Sequence, residues 1–127
     1  MKKVMVIEEQ NGQLVSKFRN IDSLQAEFKN PKTISSSTTF NKNKIVIVAE
    51  NDYQPDYRKD YPTLVLLKKL YEDETEIKTM IKGKIIIMSN DDTDLSDFQI
   101  TLLNNLLVKS DFKYGDEMKE FYSFYVD

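Results

Sequence analysis

No histidine and no cysteine occurs in the 127 residues. The missing histidine removes the commonest general base, the commonest transition-metal ligand and the side chain that titrates near neutrality. The missing cysteine rules out a disulfide framework, a thiolate zinc site and a thiol nucleophile. A Ser-His-Asp hydrolase cannot be assembled; a Ser-Lys or carboxylate-only mechanism survives on paper. A paired-carboxylate glycosidase needs a cleft and substrate platforms, and the chain has no tryptophan. With three glycines in all, neither a P-loop nor a G-x-G-x-x-G loop can be built. No apolar stretch approaches the roughly 18 residues of a membrane span. Met1-Lys2-Lys3 followed by Val4–Ile7 has the outline of a signal peptide, but Glu8-Glu9 cuts the apolar run short. These absences predict a cytoplasmic binding protein rather than an enzyme, with no cofactor and no metal.

What is present suffices for one compact domain spanning 1–127. Hydrophobic residues make up 40% of the chain, and a domain of this length buries roughly two thirds of its unfolded surface. The 18 basic and 21 acidic side chains give a formal net charge of −3. That balance lacks the basic footprint of a protein that binds a nucleic-acid polymer. Arg19 and Arg58 are the only arginines, and arginine is the planar, bidentate reader of phosphate.

Hydrophobic patterning predicts an α+β domain: an antiparallel sheet that begins with an N-terminal hairpin and packs with two or more helices. The hairpin runs from Lys3 to Glu8 and back from Leu14 to Arg19. Asn11-Gly12 marks its turn, because a type I′ turn needs positive φ at both central positions. Asn20 or Asp22 caps a short helix that turns Leu24 and Phe28 to the core before Pro31. Thr33 to Phe40 fits an edge strand or an ordered loop. Lys44 to Glu50 is a buried strand. Residues 63–70 fit either a strand or a helix, and Pro62 at a first helical position tips them towards a helix. Ile77 to Met88 reads as one strand interrupted at Gly83. From Asp94 the period changes, and Leu95, Phe98, Leu102, Leu103, Leu106 and Leu107 form a helical stripe capped by Asp94 or Ser96. A short helix from Asp116 and an extended aromatic end complete the chain.

Three constellations carry chemistry. The acidic turn from Asn90 to Asp94 has oxygens for a hard cation, but lacks the central glycine and distal glutamate of a calcium loop. A solvated turn with a helix cap is the simpler reading. In the segment from Asn51 to Pro62, Tyr53, Tyr57 and Tyr61 recur every four residues around Arg58. Aromatic rings stack on a purine and arginine forks onto phosphate, so Tyr57, Arg58 and Tyr61 are candidate nucleotide contacts. Lys109, expected at the end of the strong helix, complements the helix dipole; it and Asn90 lie at the rim of the strand–helix unit.

The strand ending in Ile7-Glu8, the block KIVIVAENDY at Lys44–Tyr53 and the block IKGKIIIMSNDD at Ile81–Asp92 resemble a family of small phage and plasmid proteins. They also resemble the phage anti-Thoeris proteins that sequester cyclic ADP-ribose signals, chiefly over 44–108. The resemblance implies a sponge in the host cytoplasm, a protein that binds a signalling nucleotide without cleaving it. Adenine would meet tyrosines, the diphosphate Arg58 and Lys109, and ribose Asn90. It also implies a homodimer or higher homo-oligomer. The alternative is a protein-binding inhibitor of a bacterial defence complex, of the anti-restriction or anti-CRISPR type. A net charge of −3 is modest for a mimic of DNA.

Overall fold

The computed structural model describes residues 1–37, 45–50, 62–71, 74–90 and 93–125. Within them the chain is mostly β, with two helices. The hairpin forms as its sequence demands. β1 (Lys2–Gln10) and β2 (Gln13–Ile21) pair antiparallel from Lys2 opposite Ile21 to Gln10 opposite Gln13. Asn11 and Gly12 take φ of 53° and 79°, the pair of positive values that a type I′ turn requires.

A one-turn helix, α1 (Leu24–Glu27), follows. Its cap is Ser23, whose Oγ accepts from the Ala26 amide, and not Asn20 or Asp22. Leu24 and Phe28 do turn to the core as expected. β3 (Pro31–Ser37) is an edge strand and pairs with β4 (Ile45–Glu50). The Glu50 carboxylate accepts from the amides of Lys29 and Asn30 at 3.0 and 2.7 Å, which fixes the turn into β3.

Residues 63–70 are not a helix. They lie in β5 (Pro62–Tyr71), which pairs antiparallel with β6 (Glu74–Lys82). Thr63, Leu64, Val65 and Leu66 are all buried, so burial on both faces hides the alternation that would mark a strand. The expected strand from Ile77 to Met88 is in fact two. β6 belongs to one sheet and β7 (Ile85–Ser89) to the other. The chain changes sheet across Gly83-Lys84.

After β7 comes α2 (Asp97–Leu106). Ser96 is its cap, in a reciprocal arrangement: Ser96 Oγ accepts from the Gln99 amide at 3.1 Å, and Gln99 Oε1 accepts from the Ser96 amide at 2.8 Å. The predicted stripe holds only in part. Leu103 is buried, whereas Phe98 and Leu106 are exposed and Leu95 precedes the helix. Gln99 and Leu103 are its buried residues, and Ile100, Leu102 and Leu107 pack partly buried against the same core.

The C-terminal segment is a second hairpin, not a helix. β8 (Val108–Tyr114) pairs with β9 (Glu117–Tyr125) around the two residues Gly115-Asp116. Positive φ at Gly115 alone is the II′ pattern, which needs glycine first. Lys109 therefore sits in a strand, beyond the end of α2, and its dipole-complementing role does not arise.

Two sheets result, in the orders β2-β1-β7-β4-β3 and β6-β5-β9-β8. The first is wholly antiparallel. The second contains one parallel pair, β5 with β9. A shared core joins them: Met5, Ile7, Ile47, Ile85 and Ile87 from the first, with Leu64, Leu66, Tyr122 and Phe124 from the second. A second cluster (Val4, Val6, Val48, Ile86 and Met88) covers the other face of the five-stranded sheet under Ile21 and Phe28. The central strands are thus apolar without alternation because both their faces are buried. No helix among the described residues is long and apolar enough to cross a membrane.

Candidate functional site

Antiparallel pairing brings the start of β1, the end of β2 and the end of β7 to one edge of the five-stranded sheet. At that edge residues 94–95 extend the pairing of β1. The Lys3 amide donates to Asp94 Oδ1 at 2.7 Å, and the Leu95 amide donates to the Lys3 carbonyl at 3.0 Å. The two bonds hold Thr93 and Asp94 on one side of Lys2. Asp22, Ser23 and α1 stand on the other side. Between them opens a cleft of about 470 Å³, lined by Lys2, Asp22, Ser23, Gln25, Thr93 and Asp94 together with the apolar Met1 and Leu24. Ligand pockets usually measure roughly 300–1,000 Å³ and converge a few polar groups.

The lining is chemically mixed. Lys2 brings a cation; Ser23, Gln25 and Thr93 bring hydrogen-bonding oxygens and an amide; Asp22 and Asp94 bring carboxylates. Asp94 is fixed in place by the Lys3 amide, and Ser23 by its cap to Ala26. Such a set can meet hydroxyl groups with its carboxylates and a negative charge with Lys2. The lining holds neither histidine nor cysteine, both of which the chain lacks. Among the described residues no group of three or more carboxylates gathers in the manner of a metal site. Asp91 and Asp92 of the acidic turn lie outside the described residues.

The sequence candidates are distributed as follows. Tyr57, Arg58 and Tyr61 lie outside the described residues. Asn90 follows β7 as an exposed turn residue, at the same sheet edge as the cleft. Lys109 is committed elsewhere. Its ammonium donates to the Leu14 carbonyl at 2.8 Å, pairs with Glu120 at 2.9 Å and lies 5.8 Å from the centre of the Tyr122 ring. The Glu120 hydrogen bond holds the Lys109 ammonium above its ordinary pKa, burial opposes this, and Tyr122 reinforces it. Leu14 stands opposite Glu9 and Ile85 opposite Ile7. Asn90 and Lys109 are therefore anchored at opposite ends of the sheet, roughly 20 Å apart at about 3.4 Å per residue. One protomer does not bring them into one pocket.

Sequence reasoning missed the cleft residues because each reads as ordinary solvated polarity. Only the pairing of β1 with two partners assembles them. One signal was available: Ser23 precedes Leu24 at the position where a serine caps a helix.

Comparison of the chain with protein-family models, with curated proteins and with solved structures gave no match.

Proposed function

We propose that this protein binds and sequesters a signalling nucleotide of the cyclic ADP-ribose type, without cleaving it, as a phage-encoded anti-defence protein in the host cytoplasm. The cleft at the start of β1 carries the reading: a concave, polar site of nucleotide size in a chain with no histidine or cysteine. Lys2 serves the diphosphate. Asp22 and Asp94 accept from ribose hydroxyls, and Asn90 stands at the adjoining rim. The sequence places Tyr57, Arg58 and Tyr61 as stacking and phosphate contacts. Lys109, engaged with Glu120 and Leu14, has a structural role instead. The working form is a homo-oligomer.

Thermal unfolding with added cyclic ADP-ribose isomers tests this. A ligand that binds only the folded chain at 100 times its Kd stabilises it by about 2.7 kcal/mol. Asp22→Asn and Arg58→Ala should each reduce the shift. Absence of a shift with every adenine nucleotide would refute the function. A shift untouched by Asp22→Asn would refute the location.

A further inference from the structure

Among the described residues the buried polar side chains are Thr63, Ser89 and Gln99, and the last two bond to each other. Gln99 Nε2 donates to Ser89 Oγ at 3.3 Å. Its Oε1 accepts from the Ser96 amide at 2.8 Å. Only 4% of Gln99 and 6% of Ser89 is exposed. An apolar pair of similar shape would serve the fold about as well, because replacing both partners of a buried hydrogen bond is nearly neutral. What the polar pair adds is a fixed geometry.

That geometry closes the base of an insertion in the sheet. β7 pairs with β1 as far as Ile87 opposite Met5. Two residues nearer the start of β1, Lys3 bonds instead to Asp94 and Leu95. Asn90 and Thr93 stand at the two ends of the inserted segment. Gln99 reaches across its base, from Ser89 before it to Ser96 after it. Thr93 and Asp94, which line the cleft, and Asn90 at its rim are therefore carried on a base that one buried carboxamide holds shut.

We propose that Gln99, acting through Ser89 and Ser96, is the positioning residue for the Thr93–Asp94 wall of the cleft. This assignment rests on the cleft being the nucleotide site. Gln99 is not part of the cleft lining, so it acts through the backbone it holds and touches no ligand. A carboxamide suits the task, since it accepts from a backbone N–H and donates to a hydroxyl at once. Contact residues bind well only when the groups behind them keep them in place.

The full chain carrying Gln99→Met or Ser89→Ala tests this, by titration with cyclic ADP-ribose and by hydrogen exchange of the Lys3 amide without nucleotide. Ser89→Ala removes the bond across the base and keeps the helix cap. Each variant should weaken nucleotide binding about tenfold, the worth of roughly one net hydrogen bond. Each should also speed exchange at Lys3, whose amide is bonded to Asp94. Tm should stay near that of the parent chain. Ile86→Ala, in the other core cluster, is the contrast: it should lower Tm and leave affinity in place. Parental Lys3 exchange in both variants would overturn the proposal, as would parental affinity in both, or a loss of affinity that Ile86→Ala reproduces. If the parent chain responds to no adenine nucleotide, the nucleotide reading fails by itself. Lys3 exchange then decides the role of Gln99, faster exchange supporting it and parental exchange overturning it.

Discussion

Lys109 on β8 and Glu120 on β9, 2.9 Å apart, together take up both backbone groups of Leu14 on the opposite sheet. The Lys109 ammonium donates to the Leu14 carbonyl, and Glu120 Oε1 accepts from the Leu14 amide at 3.3 Å. β2 is an edge strand of its sheet, and edges leave backbone groups open to stray pairing. The two side chains close that edge at Leu14 and tie the sheets together there.

Lys109→Met should therefore lower stability and not nucleotide affinity. The expected fall in Tm is about 3 °C, because a partly exposed pair contributes modestly. Calorimetry and a nucleotide titration on the same sample check both halves. Lost affinity with unchanged Tm would restore Lys109 as a ligand contact.

Acid should weaken the fold in a defined window. The Glu27 carboxyl is held below its ordinary 4.5, first by the hydrogen bond from Arg19, against burial, and then by Lys84. Glu120 is lowered by Lys109 and by the Leu14 amide. A lowered carboxylate contributes stability that is full above 4.5 and disappears as pH falls through the folded value. Lys109 has the opposite sign: its raised pKa contributes below 10.5 and is lost as pH climbs through the folded value. Urea midpoints should fall below pH 4.5, and Glu27→Gln should flatten that dependence.

The first hairpin depends on its turn. Gly12 has φ of 79° with nothing near the position of an added Cβ, so Gly12→Ala meets conformational strain and no clash. The expected loss is about 1 kcal/mol, measured by urea unfolding with an unchanged m value. A neutral result would mean that the turn is not type I′ in solution.

β7 is buried on both faces, with Ile87 facing one cluster and Ile86 the other. Ile86→Ala and Ile87→Ala should each cost about 3 kcal/mol. If Ile86→Ala were nearly free, the second cluster would not be a true core.

The legible parts of the fold were those fixed by local chemistry. Asn11-Gly12 permits one tight turn, and Ser96 with Gln99 forms its cap from neighbours three residues apart. The Gly115-Asp116 pair between alternating aromatics is an equally local signal of a hairpin, and it was read instead as a helix start. Residues 63–70 were obscure for a different reason. A strand with neighbours on both sides and both faces covered shows no period, and only the partners β6 and β9 decide it. The candidate site was legible least. Lys2, Asp22 and Thr93 gain meaning from β1 lying between β2 and β7, a relationship of distant segments. Lys109 reads as a helix-end cation, because nothing near it in sequence foretells Glu120 and Leu14 together.

Sequestration without chemistry leaves the bound nucleotide intact. The purified chain is saturated with cyclic ADP-ribose, freed of unbound ligand and heat-denatured, and the released small molecules are identified by mass spectrometry. The expected result is recovery of the intact cyclic nucleotide, in reduced yield from Asp22→Asn. Recovery of a linear or hydrolysed product, or of no nucleotide, would contradict it.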